Sequence, residues 1–494
     1  MSRESHVGKV ISSGFWLYLS TIISNLQGFF YWLIISRIAG GSVVGTVSAI
    51  VGLSSLISGL ISLGITTGLS RYTGLCIGIK KSNECASEYL WTSVYFSLLI
   101  YIIGGILVFI YSKFFGGAGS YSTEELTIAA LLVFVGFAGS FTSFLQSLLL
   151  TKYIFISVVA AAIFKFTLGV LLVYFGYGWV GAALGYFVST VVQFVINSYH
   201  SLKITGFKIY FSKDKLKELL RAGIPSWLPG VISTIGQWFG VILLYGTIGS
   251  LETGSYFIAS QLANVVLNIS NILNGLLLPV LSGLSDGRKR VGSRVFRISL
   301  ALMLPVSFYI MVYPTLLLDI FGKELSSGSI PLVILLFGSI PVAFSGFVSS
   351  LVYAYGDYLT ILKSGLITNV PRVILYFILV PKMSGIGAAI SFTTGSYLGA
   401  LYLLYIAYKL QVQFKKKEIA ILISVPLIFS VLLFFVRLSW YLGMLIMASS
   451  YLIYIKEKIV TKEDLKEISR ALLGEERTSL LYQKMRPILE PLFE

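Results

Sequence analysis

Two basic residues stand where an apolar chain has least reason to place them. Lys165 and Arg372 each lie inside a long apolar run. An ionisable side chain at that depth is expensive to keep and marks a functional position by default. The chemistry it offers is anion recognition: Arg forks two hydrogen bonds to phosphate oxygens and Lys acts as a point charge. For Arg372 a structural alternative stands beside this, bonding to backbone carbonyls near Pro371, where a helix ladder is interrupted. A second feature is made of amides. Gln261, Asn264, Asn268, Asn271 and Asn274 recur at spacings of 3, 4, 3 and 3, which puts most of them on one helical face. Such a stripe can hydrogen-bond sugar hydroxyls in a cavity or join neighbouring helices, and facing lipid would be costly. Ser20, Ser24, Asn25 and Gln27 offer similar polarity early in the chain, and Gln237 and Trp238 do so near its middle. Arg71, Lys152, Arg221 and Lys363 sit at the ends of apolar runs. There they can gather a phosphate before it enters, or simply anchor the chain at the interface by snorkelling.

These residues need helices in a bilayer to position them. The 494 residues are 56% hydrophobic and 12% charged, with mean hydropathy +0.88; a soluble domain carries about 25% charge. A crossing takes about 20 apolar residues, and that length predicts fourteen spans: 11–35, 43–69, 89–111, 126–149, 153–176, 179–199, 223–246, 253–281, 298–318, 328–352, 360–380, 384–408, 419–436 and 438–455. The fold class is therefore an all-α polytopic membrane protein. The first apolar stretch reads as a retained span rather than a signal peptide. Beyond the last span, Leu465, Ile468, Leu472 and Leu473 predict an amphipathic helix on the inner surface within a cytoplasmic tail, 457–494.

Charge placement tests the count. With the first residues inside, the outer segments hold only Arg37, Lys113, Lys323, Lys382 and Arg437 of the 37 Lys and Arg. Apart from Lys165 and Arg372, all the others fall inside, which predicts an even number of spans and cytoplasmic termini in a plasma membrane. The net charge of +16 is thus read as topology and lipid-headgroup contact, and nucleic-acid binding is excluded. Cys76 and Cys85 share one polar loop and make neither a disulfide framework nor a metal site. No cofactor or metal is expected. No Asp or Glu lies deep in any predicted span, whereas many proton- or sodium-coupled extruders need one.

The chain also echoes itself. Gly14, Gly40 and Gly45 return as Gly223, Gly249 and Gly254, each 209 residues later, and Gly181-Ala182-Ala183 returns as Gly387-Ala388-Ala389, 206 later. Two six-span repeats entering from the same side follow, as parallel bundles over 1–202 and 203–411, with two additional spans in 412–456. Parallel bundles of this kind suit alternating access around a central cavity, with small residues allowing close helix approach.

Several of these segments resemble a known family. The opening Gly14-Phe-Trp through Arg37-Ile-Ala-Gly40-Gly-Ser-Val-Val-Gly45, the run Gly64-Ile-Thr-Thr-Gly-Leu-Ser-Arg71, and Leu379-Val-Pro381-Lys-Met-Ser-Gly385-Ile-Gly387-Ala-Ala are similar to polysaccharide and lipid-linked oligosaccharide flippases. That family shares a superfamily with multidrug and toxin extruders and peptidoglycan-precursor flippases, and the likeness covers 8–456. It implies movement of a polyprenyl-phosphate- or diphosphate-linked saccharide from the inner to the outer leaflet for surface polysaccharide or glycoprotein synthesis. It implies no bond-making and no catalytic residue, a monomer, and membrane lipids with glycosyltransferases or a polymerase as partners. It also implies that spans 1, 2, 7 and 8 meet around the cavity, so that Asn25, Gln237, Gln261, Asn264, Asn268 and Asn271 would line it beside Lys165 and Arg372. The alternative is a cation-coupled exporter of drugs or other small molecules.

Overall fold

The computed structural model describes residues 6–78, 81–115, 120–283 and 286–463. The amphipathic helix expected in the tail lies outside them. Among the described residues the secondary structure is helical throughout: α1 (His6–Ile61), α2 (Ile65–Gly78), α3 (Asn83–Phe115), α4 (Thr123–Phe134), α5 (Gly139–Ser147), α6 (Thr151–Leu172), α7 (Gly178–Thr205), α8 (Lys213–Thr247), α9 (Ser250–Gly283), α10 (Arg288–Val312), α11 (Pro314–Phe321), α12 (Ser329–Phe337), α13 (Ser339–Ala354), α14 (Tyr358–Lys409), α15 (Lys416–Val436) and α16 (Trp440–Lys456). Ten helical stretches among them are long and apolar enough to cross a membrane. In lipid every backbone group must be bonded within the chain, and helices do this segment by segment.

Chain breaks fall where the backbone demands them. Inside α1, Gly40 takes φ 84°, a left-handed conformation open mainly to glycine. The Glu324 carboxylate accepts from the Gly41 N–H and holds the kink. Beside it, the Arg37 guanidinium donates to the carbonyls of Asp319 (2.8 Å) and Ile320 (2.6 Å) at the end of α11. A cation there complements the negative end of the helix. Gly176 and Gly178 separate α6 from α7, and Ser384 breaks α14, both where spans were expected to part. The predicted span 43–69 is instead interrupted at Leu63 and Gly64, both with positive φ. The predicted span 298–318 ends early, at Val312, and α11 is a separate short helix.

Two compact units divide the chain: Met1–Ile258 with Leu318–Gly328 and Asn369–Ser391, and Ala259–Leu317 with Ser329–Thr368 and Phe392–Glu494. In the first unit the glycine echo has a physical meaning. A Cβ on Gly45 would meet the Ser250 carbonyl oxygen at 1.8 Å and the Gly254 nitrogen at 2.8 Å, and one on Gly254 would meet the Gly41 carbonyl at 2.1 Å. The two equivalent glycines thus let their backbones touch. Gly223 and Gly64 do the same, with each carbonyl lying 2.2–2.3 Å from the other's hypothetical Cβ. Gly40 and Gly249 share positive φ before the next helix. Gly181 packs on Leu172 and Val173, and its counterpart Gly387 packs on Leu379 and Val380.

In the second unit, α10 packs against α13, α15 and α16. Tyrosine hydroxyls tie these helices: Tyr451 donates to the Leu302 carbonyl, Tyr454 to Leu422 and Tyr313 to Leu438. Asp357 caps α14, accepting from the Thr360 N–H at 3.1 Å and its hydroxyl at 2.6 Å. These bonds favour the carboxylate and hold its pKa below the usual value.

Gly45→Ala is expected to destabilise by about 1–3 kcal/mol through overpacking, while Gly14→Ala, which meets nothing within 4 Å, leaves the thermal midpoint in detergent unchanged. Asp357→Ala removes a helix cap worth about 1 kcal/mol. A depressed carboxyl pKa stabilises above the unfolded value of about 4, so the deficit is full at neutral pH and shrinks as pH falls below about 4. Thermal melts of both proteins at pH 7 and pH 3.5 check this.

Candidate functional site

Lys165 lies on the inner face of α6. Ile154, Val158, Ala161, Lys165 and Gly169 recur at helical spacing and are buried, while Ile163, Phe164 and Leu171 point outward. The lysine is 4% exposed. Its Nζ sits 3.3 Å from the ring centre of Tyr186 and 4.3 Å from that of Tyr31, so two tyrosine faces stabilise the ammonium through their quadrupoles. No salt bridge reaches it among the described residues. Tyr31 is seated by two glycines: a Cβ on Gly169 or Gly185 would come within 2.5 or 2.6 Å of its hydroxyl. That hydroxyl donates to the Ala182 carbonyl at 2.7 Å.

Arg372 is equally buried, on α14. Its Nη1 donates to Asn369 Oδ1 at 2.9 Å, and Gly236 of α8 leaves room for that amide. Tyr376, one turn on, packs against Gly240 and donates to the Gly236 carbonyl at 3.2 Å. The Tyr256 hydroxyl lies near that of Tyr376, beside the guanidinium. Pro371 does not break α14, whose interruption comes at Ser384.

The two cation sites are related by exchange. In the first, Tyr31 of α1 fills the space over Gly169 of α6; in the second, Tyr376 of α14 fills the space over Gly240 of α8. Gly240 stands 209 residues after Tyr31, and Tyr376 stands 207 after Gly169. The bulky and bare partners have traded helices. Trp32 is tilted on Tyr186 at 5.6 Å and meets Phe257 edge-on at 5.1 Å, and Phe257 follows Tyr256 directly in α9.

The other expected residues fall elsewhere. Asn25, Gln237, Arg71, Lys152 and Arg221 are exposed in the first unit, and the contacts of Lys165 include none of them. In the second unit Gln261, Asn264 and Asn268 are half-buried and Asn271 is exposed. Asn274 takes the structural alternative: its side-chain amide N–H donates to Ser270 at 3.1 Å, its backbone carbonyl accepts from Ser350, and Gly346 packs on it.

Spacing alone marks Asn369 and Tyr376, three before and four after Arg372. Tyr31 and Tyr186 carry no local signal, since packing brings them from other helices. One buried carboxylate also went unforeseen. Glu125, 8% exposed, closes a capping box with Ser122 at the start of α4 and accepts from Tyr245 at 2.6 Å. It sits at a helix start rather than deep in a span. No cluster of His, Cys, Asp or Glu able to hold a metal occurs among the described residues. Cys76 and Cys85, read as forming no disulfide framework, are joined by a single disulfide between α2 and α3.

A helical membrane fold carrying buried cations and glycine-mediated helix contacts has solved counterparts. The chain superimposes on lipid II flippase MurJ in an inward closed conformation with TM-score 0.73, 17% identity, and coverage of 88% of this chain and 97% of that one. An inward-facing multidrug resistance MATE family transporter of the MOP superfamily aligns at TM-score 0.58 and 19% identity, over 77% and 94%. Residues 10–285 match the polysaccharide biosynthesis protein family, and the chain belongs to that family. It is 23% identical over 403 residues, 80% of this chain and 98% of the relative, to capsular polysaccharide biosynthesis protein CapF of Staphylococcus aureus.

Removing a buried charge that has no ionic partner relieves its desolvation cost. Lys165→Met is therefore expected to keep or raise the thermal midpoint. A fall of more than about 2 °C, on the order of 2 kcal/mol at about 2.1 cal/mol/K per residue in a chain this long, would make the ammonium a structural element instead.

Proposed function

We propose that this protein is an alternating-access flippase that moves a polyprenyl-(di)phosphate-linked saccharide from the inner to the outer leaflet. The observation that carries the reading is the buried pair Lys165 and Arg372, each set among tyrosines. A lipid-linked saccharide brings a phosphate, and a cation buried against tyrosine rings is what a dianionic group would compensate. The rings beside both cations and the Asn369 amide beside Arg372 suit the faces and hydroxyls of a sugar. Exposed Arg71, Lys152 and Arg221 would gather the headgroup, and the half-buried amides of α9 would meet the saccharide. No covalent chemistry on the substrate is involved.

Three of the membrane-length stretches, Ser13–Ile61, Thr151–Thr205 and Tyr358–Lys409, are 49, 55 and 52 residues long and break at Gly40, Gly176 and Ser384. Each is long enough for two crossings at about 20 residues apiece. With α16, 17 residues long, they support fourteen crossings: two parallel six-helix bundles over 1–202 and 203–411 and two further helices in 412–456. Cytoplasmic termini and a monomer fit that arrangement. A cation-coupled exporter has less support, because the buried carboxylate Glu125 is committed to its capping box and to Tyr245.

The test is translocation of fluorescent lipid-linked oligosaccharide in proteoliposomes. Wild type is expected to move it, and Lys165→Gln with Arg372→Gln to slow it at least tenfold at equal insertion. Wild-type rates in the double variant would remove the site assignment. A wild type inactive on every lipid-linked saccharide, but driving drug efflux on a proton or sodium gradient, would replace the function.

A further inference from the structure

A cavity of about 670 Å³ opens among the second unit's residues, where the start of α10, the α14–α15 connection and the end of α16 converge. Six cations line it: Lys289, Arg290, Arg294, Arg297, Lys415 and Lys458. The acids are few. Glu418 pairs with Arg297 and, at 2.7 Å, with Lys415, and Glu463 is at the wall. Like charges crowded around one space repel, and the repulsion is relieved when an anion occupies it. The helices add to the field, since α10 begins at Arg288 and α15 at Lys416. Both present the positive ends of their dipoles nearby.

The rest of the lining tells which anion. Phe296, Phe414, Ile419 and Ile459 form an apolar wall beside the cations, and Phe296 and Phe414 belong to a ring cluster with Phe344 and Phe347. A soluble phosphate has no use for that wall, but an amphiphile does. The three converging segments are also ones that charge bias assigns to the inner side.

We infer that this cavity is a binding site for the phosphate headgroup of an anionic membrane lipid, with the cations on the phosphate and the phenylalanines against the glycerol and first methylenes. The site uses none of the residues proposed for transport.

The test uses the full-length protein, purified in non-ionic detergent and depleted of lipid. Fluorescent phosphatidylglycerol is titrated in, with phosphatidylcholine and inorganic pyrophosphate as competitors. Wild type is expected to bind, with affinity falling as salt rises. Lys289→Gln, Arg290→Gln and Lys458→Gln together should weaken binding at least tenfold, and Glu463→Gln, which removes the opposing carboxylate, should tighten it several-fold. Because that second variant gains affinity, its effect cannot come from misfolding. Phosphatidylcholine should not compete, and pyrophosphate should do so only at higher concentration than unlabelled phosphatidylglycerol. Pyrophosphate competing better than the lipid would overturn the lipid assignment in favour of a soluble phosphate. Binding unchanged in both variants, or no binding at low salt, would overturn the site.

Discussion

A charge placed inside an apolar, membrane-spanning scaffold sets the terms for everything around it. The Lys165 ammonium is withdrawn from water, and its contacts are two tyrosine faces instead of a carboxylate. Cation–π attraction stabilises it by a few kcal/mol at most, far less than bulk hydration would. The fold nonetheless builds a dedicated cradle for it, with Gly169 and Gly185 cleared so that Tyr31 can reach over. Arg372 is treated similarly, held by Asn369 and flanked by Tyr376 and Tyr256. It is this treatment of two cations that the proposed anion-binding role rests on.

The glycines provide the rigid frame. Without a hydrophobic drive between helices in lipid, association rests on close packing. Gly45 against Gly254 and Gly64 against Gly223 bring backbones together where any side chain would clash.

Much of this was legible in the sequence, and the glycine echo shows why. Glycine at a left-handed turn or a backbone contact is hard to replace, and that need falls at Gly40 and Gly249, and at Gly181 and Gly387, at matched spacings. The break at Gly176 was visible for the same local reason, and that at Arg437 because a charge interrupts an apolar run. Lys165 and Arg372 stood out because charge is rare in apolar runs. What spacing could not reveal was tertiary. Tyr31 and Tyr186 reach Lys165 from separate helices, and the traded tyrosine and glycine positions hide the likeness of the two sites from any residue-by-residue match. Glu125 escaped notice because it lies one residue before a predicted span, and its burial comes from Tyr245. The Cys76–Cys85 bond depends on how α2 turns into α3, which the loop's composition does not encode.

The claim at the centre is that Lys165 and Arg372 accept the phosphate of the transported lipid. Equilibrium binding of a short-chain polyprenyl diphosphate, free of sugar, to the wild type and to the double variant Lys165→Gln, Arg372→Gln measures it most directly. A loss of at least tenfold in affinity, about 1.4 kcal/mol or more, with the thermal midpoint preserved, is the predicted result. Equal affinity in the two proteins would contradict it.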